Sequence, residues 1–412
     1  MRKGAAGAAL TAGALLLAAC GGGGPSGGGG SVSGNKIVLG VITDMSGVYS
    51  QLAGKNSVVA VQMAVDDFKA AHGDKAVTKD IEVTSADHQN KPDVATTKAQ
   101  EFYQRNGVDV IFDVPTSSAA LAIATVAKQN KKLFIDTGAA TTALTNASCN
   151  KYTFGYTYDT YMLAQGTGKA LTSQGTKNWY VVYPDYAFGQ DMNKSFSAAI
   201  TAAGGRIVKS DPAPFPNDNF ATFLTKAPSL SPKPNVIGVM QAGGDLVNFV
   251  KQYNQFGLKA QGIGLAVGLM FDTDIASIGQ DTLAGTKYTT AWFWNLDDAS
   301  KAWAEKFKAK AGVYPTFVQA ADYSAATQYL EAAQRASSDD SGKVVAQLEG
   351  HSFSDFFAHG ATIRAKDHRV VHDAYLVQVK PAAQSSVKGD YNTLVTTIPA
   401  ASAFAPESAS TC

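Results

Sequence analysis

The chain has 412 residues, 45% of them hydrophobic and 17% charged, and its 35 basic and 34 acidic side chains leave a formal net charge of +1. That near-neutrality argues against a nucleic-acid partner and against strong attraction to an anionic surface. The length exceeds what one hydrophobic core sustains, so at least two domains are expected.

Arg2 and Lys3 precede an apolar run from Ala5 to Ala19. The run is shorter than the roughly 18 to 20 residues of a membrane-spanning helix and has no basic flank behind it, so residues 1–19 read as a cleaved secretory signal. Leu17-Ala18-Ala19-Cys20 resembles the lipobox of bacterial lipoproteins, whose cysteine receives diacylglycerol before the signal is cut off. An ordinary secreted protein with a cysteine beside its cleavage site is the alternative. Residues 20–35 are nearly all Gly and Ser and read as a tether between a lipid on Cys20 and a folded body. The expected location is the periplasm or cell surface, with the membrane reached through that lipid. With Cys20 set aside, Cys149 and Cys412 form an even pair in an oxidising compartment. A disulfide between them is expected, and two free thiols remain the alternative.

From Lys36 onward, β-branched apolar runs alternate with amphipathic stretches, the pattern of a parallel sheet covered by helices. Strands are expected at 36–43, 81–86, 108–114 and 132–136, with helices at 57–71, 93–104 and 117–129 between them. A second series has helices at 162–172, 188–203, 221–227 and 246–256 and strands at 179–183, 206–210 and 236–240. The last third adds helices at 299–311 and 318–336 and a strand-like run at 369–379. Ligands of doubly wound sheets sit outside the carboxyl ends of the strands, which marks Ser46, Asp87, Pro115 to Ser118 and Thr137 to Thr141.

Catalytic signatures do not emerge. Gly262-Ile263-Gly264 begins like a dinucleotide fingerprint, but its third glycine position is Val267. There is no Walker A run, no Gly-x-Ser-x-Gly elbow and no His-Glu-x-x-His pair. His368 and His372 stand four apart without a Cys or paired carboxylate to complete a metal site, and are expected to be exposed polar residues. Asp87, Asp272 and Asp274 read as caps of backbone donors. No cofactor, no metal and no enzymatic activity are expected.

Four segments then fall in a meaningful order: Val41-Ile42-Thr43-Asp44-Met45-Ser46-Gly47, Ser117-Ser118, Thr137-Gly138-Ala139-Ala140-Thr141 and Tyr183-Pro184-Asp185-Tyr186-Ala187-Phe188-Gly189. Together they resemble the type 1 periplasmic binding proteins of branched-chain amino acid and amide uptake systems, across essentially the whole mature chain. Ala291 to Leu296, Val318 to Ala325, Asp355-Phe356-Phe357 and Val371 to Gln378 resemble a branch similar to aromatic-acid binders.

The resemblance implies two doubly wound α/β lobes joined by a multi-strand hinge, with the ligand in the cleft between them. The expected boundaries are 36–158 with 290–362 for the first lobe, 159–289 with 363–400 for the second, and 401–412 as a tail. By resemblance, Ser117 and Ala139, Ala140 and Thr141 hold a ligand carboxylate, Ser118 belongs to the ligand set beside them, and Phe188 stands where the family has a closing tyrosine. Backbone amides and short hydroxyls at strand ends suit an anion without a buried Lys or Arg. Tyr49, Asp159, Tyr161, Tyr186 and Ala242 complete the expected ligand set, together with Val267. Val267 occupies the position of the acidic residue that holds the ammonium in amino-acid-binding members, and a buried ammonium without a carboxylate is costly. A small aromatic or apolar carboxylate is therefore the expected ligand, unless Asp159 or Asp245 supplies the missing charge. Tyr158, Trp292 and Trp294 join the tyrosines and Phe188 as candidate cleft walls. The expected partners are the permease and ATPase subunits of an ABC importer, with the protein itself a monomer. A branched-chain amino acid or amide binder is the alternative, and a ligand-sensing lobe of a signalling system is the alternative of another class.

Overall fold

The computed structural model describes residues 32–412, so the expected signal, Cys20 and most of the Gly/Ser stretch lie outside the described residues. Where description begins, the chain is already fixed to the body: Val32 is buried, and the Ser33 amide donates to Asp339 at 3.0 Å. Residues 32–35, expected to belong to the tether, are thus part of the folded unit.

Strand β1 (Lys36–Thr43) is buried on both faces at seven of its eight positions, which makes it a central strand. It pairs in parallel with β2 (Asp80–Asp87) on one side and β3 (Val110–Asp113) on the other. Strands β4 (Leu133–Asp136) and β5 (Thr153–Gly155) extend the sheet to the order β2-β1-β3-β4-β5. Helices α1 (Lys55–His72), α2 (Pro92–Gln104) and α3 (Ser117–Asn130) make the crossovers. Gly40 in β1 is dictated by packing, because a Cβ there would lie 2.7 Å from the Phe102 ring on α2.

The expected helix at 162–172 is not a single α-helix. Helix α4 (Thr160–Leu163) passes through a π-helical turn (Ala164–Lys169) into α5 (Ala170–Ser173). Within the π-turn, Gly166 is dictated by packing, since a Cβ there would strike the Thr289 hydroxyl at 2.1 Å.

The second sheet is also parallel, in the order β7-β6-β8-β9, from β6 (Asn178–Pro184), β7 (Arg206–Ala213), β8 (Val236–Val239) and β9 (Gly264–Val267). It is dressed by α6 (Ala187–Ala202), α7 (Ala221–Lys226) and α8 (Gly243–Gln255), and followed by α9 (Asp272–Ile278) and α10 (Gln280–Leu283).

Strand β10 (Lys287–Thr290) then leads back to the first lobe, where α11 (Asp298–Ala311) and α12 (Phe317–Ala336) pack on α1, and α13 (Ser341–Leu348) packs on α12. A small antiparallel sheet follows, of β11 (Ser352–Phe353), β12 (Ala361–Ile363) and β13 (Val370–Val371). Strand β14 (Ala374–Val379) pairs antiparallel with β10, and β15 (Asn392–Ile398) pairs antiparallel with β14. The last helix, α14 (Ala400–Ala403), opens the tail.

The expected strand at 369–379 is therefore split between two sheets. The break falls at His372, whose ring nitrogens lie 2.8 Å from the carbonyls of Asp373 and Thr157 and so tie two lobe crossings together. His368 is buried too, stacked 4.2 Å from Phe154, with Glu349 at 3.0 Å from its ring. The expectation that this pair is exposed fails because both histidines serve as internal braces. Arg369 between them bridges to Gly155, so the segment from 363 to 371 runs with the first lobe's last strand. Cys149 and Cys412 are joined by a disulfide.

Candidate functional site

Two loops at strand ends face each other across the lobes. After β1, the buried Asp44 carboxylate accepts from the amides of Gly47 (2.6 Å) and Tyr49 (2.8 Å) and from the Asn90 side chain (2.6 Å). Asp87 accepts from the Met45 amide and, at 2.7 Å, from the Ser46 hydroxyl. This network fixes the loop that presents Tyr49. From the second lobe, Gly244 donates to the Val48 carbonyl at 3.0 Å. Gly243 beside it has φ +55°, and a Cβ there would lie 2.3 Å from that carbonyl, so only glycine permits the approach.

The Tyr49 hydroxyl meets the Tyr186 hydroxyl at 2.7 Å, one from each lobe. Phe215 stacks on both rings, with centroids 5.5 Å from Tyr49 and 4.3 Å from Tyr186, and Phe188 lies 5.9 Å from Tyr186. Desolvation pushes both phenols above their ordinary pKa, so they remain neutral hydroxyls. Tyr49, Tyr158, Tyr186 and Phe188 line a narrow cavity of only about 10 Å³. Volumes of roughly 300 to 1,000 Å³ are usual for ligand sites, so this is a closed cleft.

Of the residues named from the sequence, Tyr49, Tyr158, Tyr186, Phe188 and Ala242 line this cavity. Ser117, Ser118, Ala139, Ala140 and Thr141 do not; they sit at the carboxyl ends of β3 and β4, adjoining Pro115, which does. Ser117 is fully buried at the start of α3, and its hydroxyl has no partner among the described residues. Thr141 caps the turn after it by accepting from the Ala143 amide, and the Ala140 carbonyl accepts from Thr160. Val267 ends β9 in the core of the second lobe, away from the cavity. Trp292 and Trp294 are elsewhere as well: Trp292 bonds Ser300 and the Phe356 carbonyl, and Trp294 stacks 3.9 Å from Tyr314.

Neither acid named as a replacement counter-charge is a free carboxylate in the cleft. Asp159 caps α4 at the Met162 amide and faces Arg369 at 3.5 Å, and with Tyr161 it lines a different cavity. Asp245 is buried near the tyrosine pair, accepts from the Asn217 amide, and is pushed up to about 7 by desolvation.

Leu52, Phe215, Leu269 and Phe271 also belong to the site and were not named from the sequence. Phe215 stands between prolines in Pro212-Ala213-Pro214-Phe215-Pro216, where an aromatic in a rigid loop is a usable signal. Leu269 and Phe271 carry none, since either would pass as core. Among the described residues, no three potential metal ligands converge.

The sequence pattern of the family described as periplasmic binding protein matches residues 36–385. A periplasmic binding protein from Burkholderia mallei is 40% identical, covers 92% of this chain and 99% of its own, and superposes with a TM-score of 0.87. A branched-chain amino acid ABC transporter periplasmic ligand-binding protein from Burkholderia xenovorans is 38% identical, over 91% and 98% of the two chains, with a TM-score of 0.80. A solute-binding protein of an ABC transporter from Rhodopseudomonas palustris, in complex with 3,4-dihydroxybenzoic acid, is 25% identical over 89% and 98%, with a TM-score of 0.77. Leu/Ile/Val-binding protein homolog 6 of Brucella melitensis is 28% identical, and the match spans 60% of this chain and only 62% of that protein's length. The family match over residues 36–385 and the 40% identity to the Burkholderia mallei protein show that the chain belongs to the periplasmic binding protein family, the substrate-binding proteins of ABC transporters.

Proposed function

We propose that this protein captures a small aromatic carboxylate between its lobes and delivers it to an ABC permease, held at the membrane by a lipid on Cys20. The observation that carries the ligand class is the interlobe ring set of Tyr49, Tyr186, Phe188 and Phe215, which is neutral throughout. Flat rings gain about 0.5 to 1.5 kcal/mol per aromatic contact beyond area burial. The carboxylate end is placed toward the first lobe, near the α3 amino terminus and the unpartnered Ser117 hydroxyl. The dihydroxybenzoate complex of the Rhodopseudomonas relative supports the same class.

The mechanism is hinge closure. A ligand settles on one lobe, the other swings over it, and the closed population grows by the ligand's differential affinity for that form. A branched-chain amino acid is the second reading, favoured by the Burkholderia xenovorans relative's description and by Asp245 near the tyrosines. Thermal-shift titration of the purified protein with benzoate, 4-hydroxybenzoate, leucine and valine separates them. A ligand at 100 times its dissociation constant adds about 2.7 kcal/mol to folding stability. Stabilisation by the ring acids alone is expected; stabilisation by leucine or valine alone would replace the aromatic reading with the aliphatic one.

A further inference from the structure

Three carboxyls are buried behind the first-lobe wall of the cleft: Asp113 ends β3, Asp136 ends β4 and Asp322 lies in α12. Little separates Asp113 from the cleft. Pro115, two residues on, lines the cavity, and a Cβ on Gly138 would lie 2.7 Å from Asp113 Oδ1 and 2.8 Å from the Pro115 Cα. The Gly138 carbonyl in turn accepts from the cleft tyrosine Tyr158 at 2.9 Å. At Asp113 and Val114 the backbone is left-handed, with φ +75° and +71°, which is costly for a β-branched residue and persists only where the surroundings enforce it.

The cluster has too few donors for three anions. Asp136 accepts from the Ala139 amide at 3.3 Å and feels the Arg369 guanidinium. Asp322 takes the Thr137 hydroxyl on one oxygen, but its other oxygen and both oxygens of Asp113 lack a partner at full hydrogen-bond geometry among the described residues. The buried Ser57 hydroxyl is the group that both acids approach, and the Thr43 hydroxyl also borders Asp113. No cation faces either acid; the charged groups nearest to them are Asp44, beside Asp113, and Asp136, beside Asp322. A buried carboxylate without donors or a cation is strongly disfavoured, and two side by side do not both ionise. A protonated carboxyl, by contrast, donates, so one acid can reach the other through Ser57.

We propose that Asp113 and Asp322 form a proton-sharing pair that keeps the wall behind the carboxylate end of the cleft neutral, so that an anionic ligand is held tightly only while the pair retains its protons. The inference rests on the placement of the ligand carboxylate toward the first lobe, and it applies to a ring acid and an amino acid alike. Desolvation pushes both acids up, Asp113 to about 7. As pH rises through that value the pair ionises, an anion appears behind the ligand carboxylate, and binding weakens. Asp245, also raised to about 7 and close to the tyrosine pair, is the competing source of such a slope.

Infrared spectra of the ligand-free, full-length protein at about pH 6 test the pair directly. Asp113→Asn and Asp322→Asn are each expected to lose one protonated-carboxyl band, and the double variant two. A folded variant that loses none overturns the proposal. Affinities for 4-hydroxybenzoate and for leucine, both with ionised carboxylates, are then measured by calorimetry at about pH 6 and 8. Whichever binds is expected to weaken at least about tenfold at the higher pH in the parent and less than about twofold in the double variant. A flat parent profile overturns the link to the ligand, and a slope that survives in the double variant overturns it in favour of Asp245. If neither acid binds, the ligand reading falls, while the infrared bands still show whether the pair holds its protons.

Discussion

Tyr158 and Asp159 are neighbours on one lobe crossing, yet they serve opposite chemistries. Tyr158 faces the cleft, where the lobes meet through aromatic rings, one hydroxyl pair and the Gly244 to Val48 hydrogen bond. Asp159 faces the rear cavity, where Arg369 is clasped by the Tyr158 carbonyl at 3.1 Å and by Asp159, and where a disulfide closes the tail onto the first lobe. The cleft is joined by rings and two hydrogen bonds and the rear by an ion pair and a covalent bond, so the hinge closure proposed above would part the cleft and leave the rear joined.

Removing the covalent element at the rear gives the largest expected effect. Cys149 and Cys412 are 263 residues apart in sequence, so their bond restricts a very long loop of the unfolded chain. The Cys149→Ser, Cys412→Ser double variant is expected to lose about 4 kcal/mol of unfolding free energy. Denaturant melts of the variant and the parent decide it. A loss under about 1 kcal/mol would show that the tail's hydrogen bonds and the buried Phe404 already fix it, and that the asymmetry between the two edges does not depend on the covalent bond.

The same contrast explains what the sequence could disclose. Strand β1 was legible residue for residue because a strand buried on both faces is a continuous apolar run, and α1 to α3 followed from periodicity. The π-turn in α4–α5 was not legible, and the close approach of Gly166 to Thr289, more than a hundred residues away, has no local sequence signal either. Likewise Tyr49, Tyr186, Phe188 and Ala242 stand directly after strands, where topology points. Phe215 and Leu269 stand two residues after β7 and β9, but the expected strand at 206–210 stopped short of Ala213 and no strand was expected at β9, while Trp292 and Trp294 looked the same in sequence as the cleft rings and pack elsewhere.

A smaller effect should distinguish the cleft edge by pH. Desolvation raises Asp245 to about 7 from its ordinary 3.8, so the folded protein binds its proton more tightly than the unfolded chain does. Its contribution to stability is complete below the unfolded value and is lost as pH rises through about 7. Between roughly pH 6 and 8 the loss from one such group is about 1.4 kcal/mol. Asp113, Asp272 and Asp274 are raised to about 7 in the same way, so the parent's stability should fall over this range by more than one group's share. Asp245→Asn keeps an acceptor for the Asn217 amide and should flatten the profile by its own share. Unchanged slopes in parent and variant would mean that Asp245 stays ionised, which restores it as an ammonium partner and favours the amino-acid reading.

The smallest effect tests the hydroxyl bridge itself. Tyr49→Phe keeps the ring that stacks on Phe215 but removes the 2.7 Å bond to Tyr186, a contact that exists only when the lobes are together. One hydrogen bond contributes about 1 kcal/mol, so the closed form and the affinity of the ligand that selects it should weaken about fivefold, read by calorimetry. A loss of about a hundredfold would mean that the Tyr49 hydroxyl touches the ligand, since a polar group built to bond a ligand rejects its absence far more strongly than a lobe-to-lobe bridge does. No change at all would mean that the rings alone close the cleft, leaving the hydroxyl pair with no part in closure.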